Sequence, residues 1–174
     1  MAFTVQDDTG TVTGANAYVT EAEFIAYAAD RAMDHSAYNS ADIQVAIVKA
    51  TDYLDQRFRF VGERLSGFEQ PTEWPRASAY DIHRSYVNGV PTQVKEATIE
   101  YAFRALSATL NPDPTFDATG ATVKSKAEKV GPISEETTYM GETQALISLP
   151  RYPAADKKLT RAGLTLQGGD VRRA

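Results

Sequence analysis

Cysteine is missing from all 174 residues. That excludes disulfides and thiolate metal sites, and it suits a reducing compartment. Histidine occurs only as His35 and His83, and neither has a second histidine or a carboxylate at metal-ligand spacing. No apolar run approaches the roughly 20 residues that cross a bilayer, so no membrane partner is expected. The start, MAFTVQDDTG, has neither a basic n-region nor an apolar h-region, so no signal peptide is expected. Positive charge is also short: 18 Lys and Arg stand against 23 Asp and Glu, a net charge of −5. Such a balance argues against tight, non-specific coating of DNA, which draws its affinity from neutralised phosphates.

The usual marks of catalysis are equally scarce. There is no Gly-x-Ser-x-Gly elbow for a serine nucleophile. Gly10 and Gly14 frame TGTVTG, but no Lys-Ser or Lys-Thr follows to make a phosphate-binding loop. Asp7–Asp8 and Glu135–Glu136 are adjacent pairs, and neighbours in extended chain point to opposite faces. The expectation is no enzyme, no cofactor and no metal.

What is present is helical periodicity. Thr20 followed by Glu23 is a capping box, and Phe24, Tyr27 and Ala28 then share one face of a short helix. Asn39 or Ser40 caps a longer helix whose stripe is Ile43, Ala46, Ile47, Ala50, Leu54 and Phe58. Pro91 or Thr92 starts a third, carrying Val94, Ala97, Tyr101, Ala105 and Leu106, which Asn111-Pro112 stops. TVKSKAEKV and ISEETTYM, residues 122–130 and 133–140, alternate around Gly131-Pro132, as a hairpin or two extended arms would. A short helix starts at Pro153, with Lys157, Lys158 and Arg161 near its C-terminal end, where cations suit the macrodipole.

The fold class expected is mainly α: a small helical bundle with a long loop, an extended β-like arm and a short C-terminal helix. Residues 1–119 form the helical body with its loop at 62–91. Residues 120–174 form the arm, the short helix and a flexible tail. Charge divides unevenly along this plan, with nine acids and four bases in residues 1–60 but eight acids and nine bases in residues 111–174.

The single tryptophan, Trp74, falls inside the long loop, stiffened by Pro71 and Pro75. Three roles compete for it: a lid on the core, a contact with another chain, or a platform for a stacked base. Trp74, Arg76, Tyr80, Arg84 and Tyr86 interleave aromatics with arginines, the mixture used by single-strand binders. Glu69, Glu73 and Asp81 lie in the same stretch, and no basic groove is visible in the sequence.

The stretches ANAYVTEAEFIAY, KATDYLDQRFRFVGER, EWPRASAYD, VPTQVKEATIEYAFRAL, EKVGPISEE and RYPAADKKL resemble, in order and spacing, a family of tailed-bacteriophage proteins. Its members are often labelled single-stranded-DNA-binding proteins similar to a primosomal protein. Their size and helical pattern also look like the head–tail connector adaptors that sit beneath the portal. The adaptor likeness implies a structural virion protein at the neck between head and tail, made in the host cytoplasm. It implies as partners the portal protein, neighbouring subunits in a typically twelve-fold ring, and a tail or head-completion protein. Double-stranded DNA would pass through the lumen without specific binding. Trp74, Arg76 and Tyr80 in the loop, Val123, Val130, Ile133 and Tyr139 in the arm, and Arg172 and Arg173 in the tail are then the interface candidates. The other label implies a single-stranded-DNA-binding protein acting in phage replication. The sequence expectation is the adaptor, with single-strand binding as the alternative.

Overall fold

The computed structural model describes residues 2–112, 123–129, 134–139 and 152–166. It is mainly α, with helices α1 (Glu21–Asp30), α2 (Ser40–Arg57), α3 (Thr92–Ala105) and α4 (Pro153–Arg161). Short strands β1 (Glu63–Arg64) and β2 (Arg76–Ala77) pair within the long loop, and β3 (Val123–Lys129) pairs with β4 (Ser134–Tyr139).

Local chemistry explains where the helices begin. Thr20 accepts the Glu23 N–H at 3.1 Å while the Glu23 carboxylate takes the Thr20 N–H at 2.7 Å. Asn39 and Asp42 repeat this reciprocal capping at the start of α2, so both helices satisfy N–H groups that would otherwise lack partners. Pro91 precedes α3 and Pro153 opens α4, each without need of a donor there.

Two compact units result, Met1–Leu110 with Arg151–Ala174, and Asn111–Pro150. In the second, β3 and β4 run antiparallel, with Val123 opposite Tyr139 and Lys129 opposite Ser134. In the first, α3 packs on both α2 and α4. The C-terminal helix, which the sequence placed with the arm, therefore belongs to the helical unit. Ile43, Ile47, Leu54, Val94, Ile99, Tyr101 and Leu159 are among the buried side chains, each contributing roughly 1.5–3 kcal/mol of burial before entropy is subtracted.

One carboxylate joins three helices. Asp156 of α4 accepts the Tyr101 hydroxyl of α3 and pairs with Arg57 of α2 at 3.0 Å. The rings of Tyr53, Tyr101 and Tyr152 meet edge to face around it at 5.1 to 6.2 Å, a geometry that the ring quadrupoles favour. Among the described residues, no helix is long and apolar enough to cross a membrane.

Candidate nucleic-acid interface

The long loop divides into a locked base and an exposed tip. At the base, Trp74 is fully buried, with its ring edge to face with Phe60 at 5.6 Å. The Trp74–Pro75 peptide is cis. The backbone around it is held by side chains: Gln70 donates to the carbonyls of Thr72 and Pro75 at 2.7 and 3.0 Å, and Thr72 donates to Trp74 O at 2.8 Å. Arg76, nearly buried, donates to Val61 O and Gly62 O and pairs with Glu73 at 2.5 Å. Of the roles open to Trp74, this burial supports the lid; the ring has no exposed surface for a base or a second chain. Arg76 is likewise committed to holding the backbone.

A polar knot lies beneath. Tyr18 donates its hydroxyl to Asp55 at 2.5 Å, and Asp55 accepts the Glu73 N–H at 3.0 Å. Burial of the Asp55 carboxyl, outweighing its hydrogen bonds, pushes its pKa up to about 7. Burial likewise holds the Tyr18 hydroxyl well above its ordinary range, with the nearby Asp55 carboxylate adding to the effect. These groups fix the loop.

The tip is different. Tyr80 and Tyr86 face each other across an antiparallel bridge, their rings edge to face at 5.8 Å. Both are exposed, at 53% and 55%. The turn between them is built by Asp81, whose carboxylate accepts the His83 and Ser85 N–H groups at 2.9 and 2.8 Å. Its backbone N–H donates to Ser85 O at 3.0 Å, and Arg84 N–H donates to Asp81 O at 3.0 Å. Asp81 is spent on the turn, which explains an acidic residue in this place. Arg84 sits at φ +63°, a left-handed conformation costing a non-glycine residue about 1–2 kcal/mol. Its guanidinium has no partner among the described residues. Arg84 is exposed and lies in the turn between the two tyrosines, and backbone strain clusters at contact and active sites.

The tip is docked on the end of α4. Ile82 N–H donates to Ala162 O at 3.0 Å, and Gly163, at φ +72°, passes so close that a Cβ would lie 2.9 Å from Ile82 N. A glycine is required there by space as well as by backbone angle.

The remaining sequence candidates are scattered. Val123 and Tyr139 are opposed in the β3–β4 pair, whereas Val130, Ile133, Arg172 and Arg173 lie outside the described residues. His35 packs edge to face with Phe24 at 5.9 Å, and His83 is exposed at the tip. Among the described residues there is no cluster of His, Asp or Glu that could hold a metal ion. Sequence reasoning missed the docking of the tip on Ala162 and Gly163, which joins residues far apart in the chain. It also missed a basic cleft: Arg31 next to α1 and Lys157, Lys158 and Arg161 on α4 line one open depression. No run of cations in the sequence signals it, because about 125 residues separate the two contributions.

Comparison with known proteins bears on the family of the chain. A family model described as "Putative DnaT-like ssDNA binding protein" matches residues 1–173. No curated protein and no solved structure matches the chain. The family match corrects the head–tail connector expectation, and with it the portal protein, the ring of neighbouring adaptor subunits, the tail or head-completion protein and double-stranded DNA threaded without specific binding. The preference for the adaptor leaned on helical pattern and on the want of a basic groove. Helical pattern is common to many small bundles, and the cations of Arg31, Lys157, Lys158 and Arg161 are brought to one depression only by folding.

Proposed function

The chain belongs to this family of DnaT-like single-stranded-DNA-binding proteins, and we propose that it binds single-stranded DNA through the tip formed by residues 80–86. The observation that carries this reading is the exposed pair Tyr80 and Tyr86, 5.8 Å apart, beside the unpartnered Arg84. Exposed aromatic rings are stacking surfaces for unpaired bases, worth about 1–3 kcal/mol per base. The bases of a duplex are already stacked on each other and offer no such face, so the preference is for single strands. With a net charge of −5, the protein gains little from bulk attraction, and stacking carries a correspondingly larger share. The role inferred is binding, without a chemical step.

Fluorescence anisotropy of a labelled single-stranded oligonucleotide tests the reading at low salt and again near physiological salt. Tyr80→Ala and Tyr86→Ala are each expected to weaken binding about 5- to 100-fold, with little change in melting temperature because both rings are exposed. A duplex of the same sequence is expected to compete poorly. Absence of binding at low salt, or indifference to the double Tyr→Ala variant, would overturn it.

A further inference from the structure

The α4 helix presents two faces. Ala155 and Leu159 are buried, while Ala154, Lys157, Lys158 and Arg161 line an open cleft of about 560 Å³. Steps of three, one and three residues put those four on one side of a helix. Across the cleft stand Tyr27 and Arg31 from the α1 end and Glu100 from α3.

The carboxylate of this cleft, Glu100, and its neighbour Glu96 are already engaged. Glu96 takes Lys158 at 2.6 Å and lies 4.0 Å from Arg31. Glu100 accepts the Tyr27 hydroxyl at 2.9 Å and pairs with Arg104 at 3.1 Å. Lys157 and Arg161 are exposed and have no carboxylate partner among the described residues. They lie one helical turn apart, about 6 Å along the axis, in a chain that is otherwise acidic. Cations gather near helix C-termini in any protein. This pair differs in converging with Arg31, from another helix, on a shared open space. The guanidinium of Arg31 lies 3.5 Å from the centre of the Tyr27 ring.

The cleft and the tip meet at one residue. Ala162 lines the cleft, and its carbonyl receives the Ile82 N–H. Arg161 is thus one residue from the point at which the aromatic hairpin docks.

Resting on the single-strand reading above, we propose that this cleft is the phosphodiester subsite of the same surface: a strand stacked at Tyr80 and Tyr86 passes Ala162 and lays its backbone against Arg161, Lys157 and Arg31. Bases are read at the tip and phosphates at the cleft. The two halves separate by salt dependence, because stacking is nearly indifferent to salt whereas each phosphate contact on a single strand adds about 0.7 to the slope of log K against log salt.

The measurement is oligonucleotide affinity over a salt series for Lys157→Gln, Arg161→Gln and their double variant, beside Tyr80→Ala and Lys49→Gln. Lys49 is an exposed cation on α2 outside the cleft, so it controls for charge alone. The double variant is expected to flatten the slope by about 1.4, from two phosphate contacts, and Tyr80→Ala to weaken binding at constant slope. Lys49→Gln should change neither. A strand of abasic sites is expected to keep the dependence on the cleft and lose the dependence on Tyr80. An unchanged slope in the double variant, with Tyr80→Ala still weakening binding, overturns the cleft and leaves the single-strand reading intact. Failure of the unmodified protein to bind any single strand at low salt overturns both.

Discussion

Tyr18 and Asp55 share a 2.5 Å hydrogen bond beneath the long loop, and the same hydroxyl accepts the Trp74 N–H at 3.1 Å. Through this contact a carboxyl on α2 helps to place the base of a loop whose tip lies on the far side of Trp74 in sequence. The knot has a consequence for pH. Asp55 has its pKa raised to about 7 in the folded chain, against about 3.9 when unfolded. Between those values the folded state holds the proton and the unfolded state does not, so stability falls as pH rises from 4 to 7. The slope from this one group is at most about 1.4 kcal/mol per pH unit. Asp7, Glu21, Glu23 and Asp34 have lowered pKa values and act in the opposite sense, so the Asp55 contribution is read by difference: the denaturant midpoint of Asp55→Asn relative to the unmodified protein should rise across that window. A difference between the two proteins that stays constant across the window would remove Asp55 from the account.

The core makes a graded prediction. Leu54 is fully buried between the helices, whereas Leu106, just past α3, is only partly buried. Leu54→Ala is expected to cost about 2–5 kcal/mol and Leu106→Ala distinctly less. The sequence put both on the apolar stripes and had no means to rank them, because a stripe reveals which face is inward and not where the helix runs out of partners. Equal losses in urea unfolding would contradict the packing of α3 on α2 and α4.

That contrast describes what was legible in the residues more generally. Thr20 with Glu23, and Pro153, are local signals, and the helices begin where those signals stand. The opposed strands β3 and β4 follow from alternation around Gly131-Pro132. Long-range relationships left no local trace. Nothing near Asp55 in the sequence points to Tyr18, and nothing near Arg31 points to Arg161. The candidate surface was therefore half visible: the alternating aromatics and arginines of residues 74–86 were read, but Trp74 and Arg76 belong to the locked base and Tyr80, Arg84 and Tyr86 to the tip. Only burial separates them.

Gly163 tests whether the docked position of the tip matters. Gly163→Ala forces a left-handed angle on alanine and drives its Cβ to 2.9 Å from Ile82 N and 3.1 Å from Ile82 Cα. Gly14, at φ +70°, has nothing within 4 Å of an added Cβ, so Gly14→Ala carries the backbone cost alone, about 1–2 kcal/mol. Both variants should melt earlier, Gly163→Ala by more. Only Gly163→Ala should also weaken binding to a single-stranded oligonucleotide, because it alone pushes the tip off α4. Equal oligonucleotide affinities for the two would mean that the docking at Ala162 is irrelevant to the surface.

Arg84 offers the sharpest separation of fold from function. At φ +63° it occupies a conformation that glycine adopts freely, and its guanidinium has no partner among the described residues to lose. Arg84→Gly should therefore leave stability within about 1 kcal/mol of the unmodified protein, relief of strain being offset by a more flexible unfolded chain. The same change removes a cation from the turn between Tyr80 and Tyr86. If Arg84 meets a phosphate, oligonucleotide affinity falls and the salt slope flattens by about 0.7; if it stacks on a base, affinity falls at constant slope. Either result keeps the tip as the contact surface and says which part of the strand lies over it. A variant that binds as tightly as the unmodified protein at every salt concentration would show that the strained arginine serves something other than DNA.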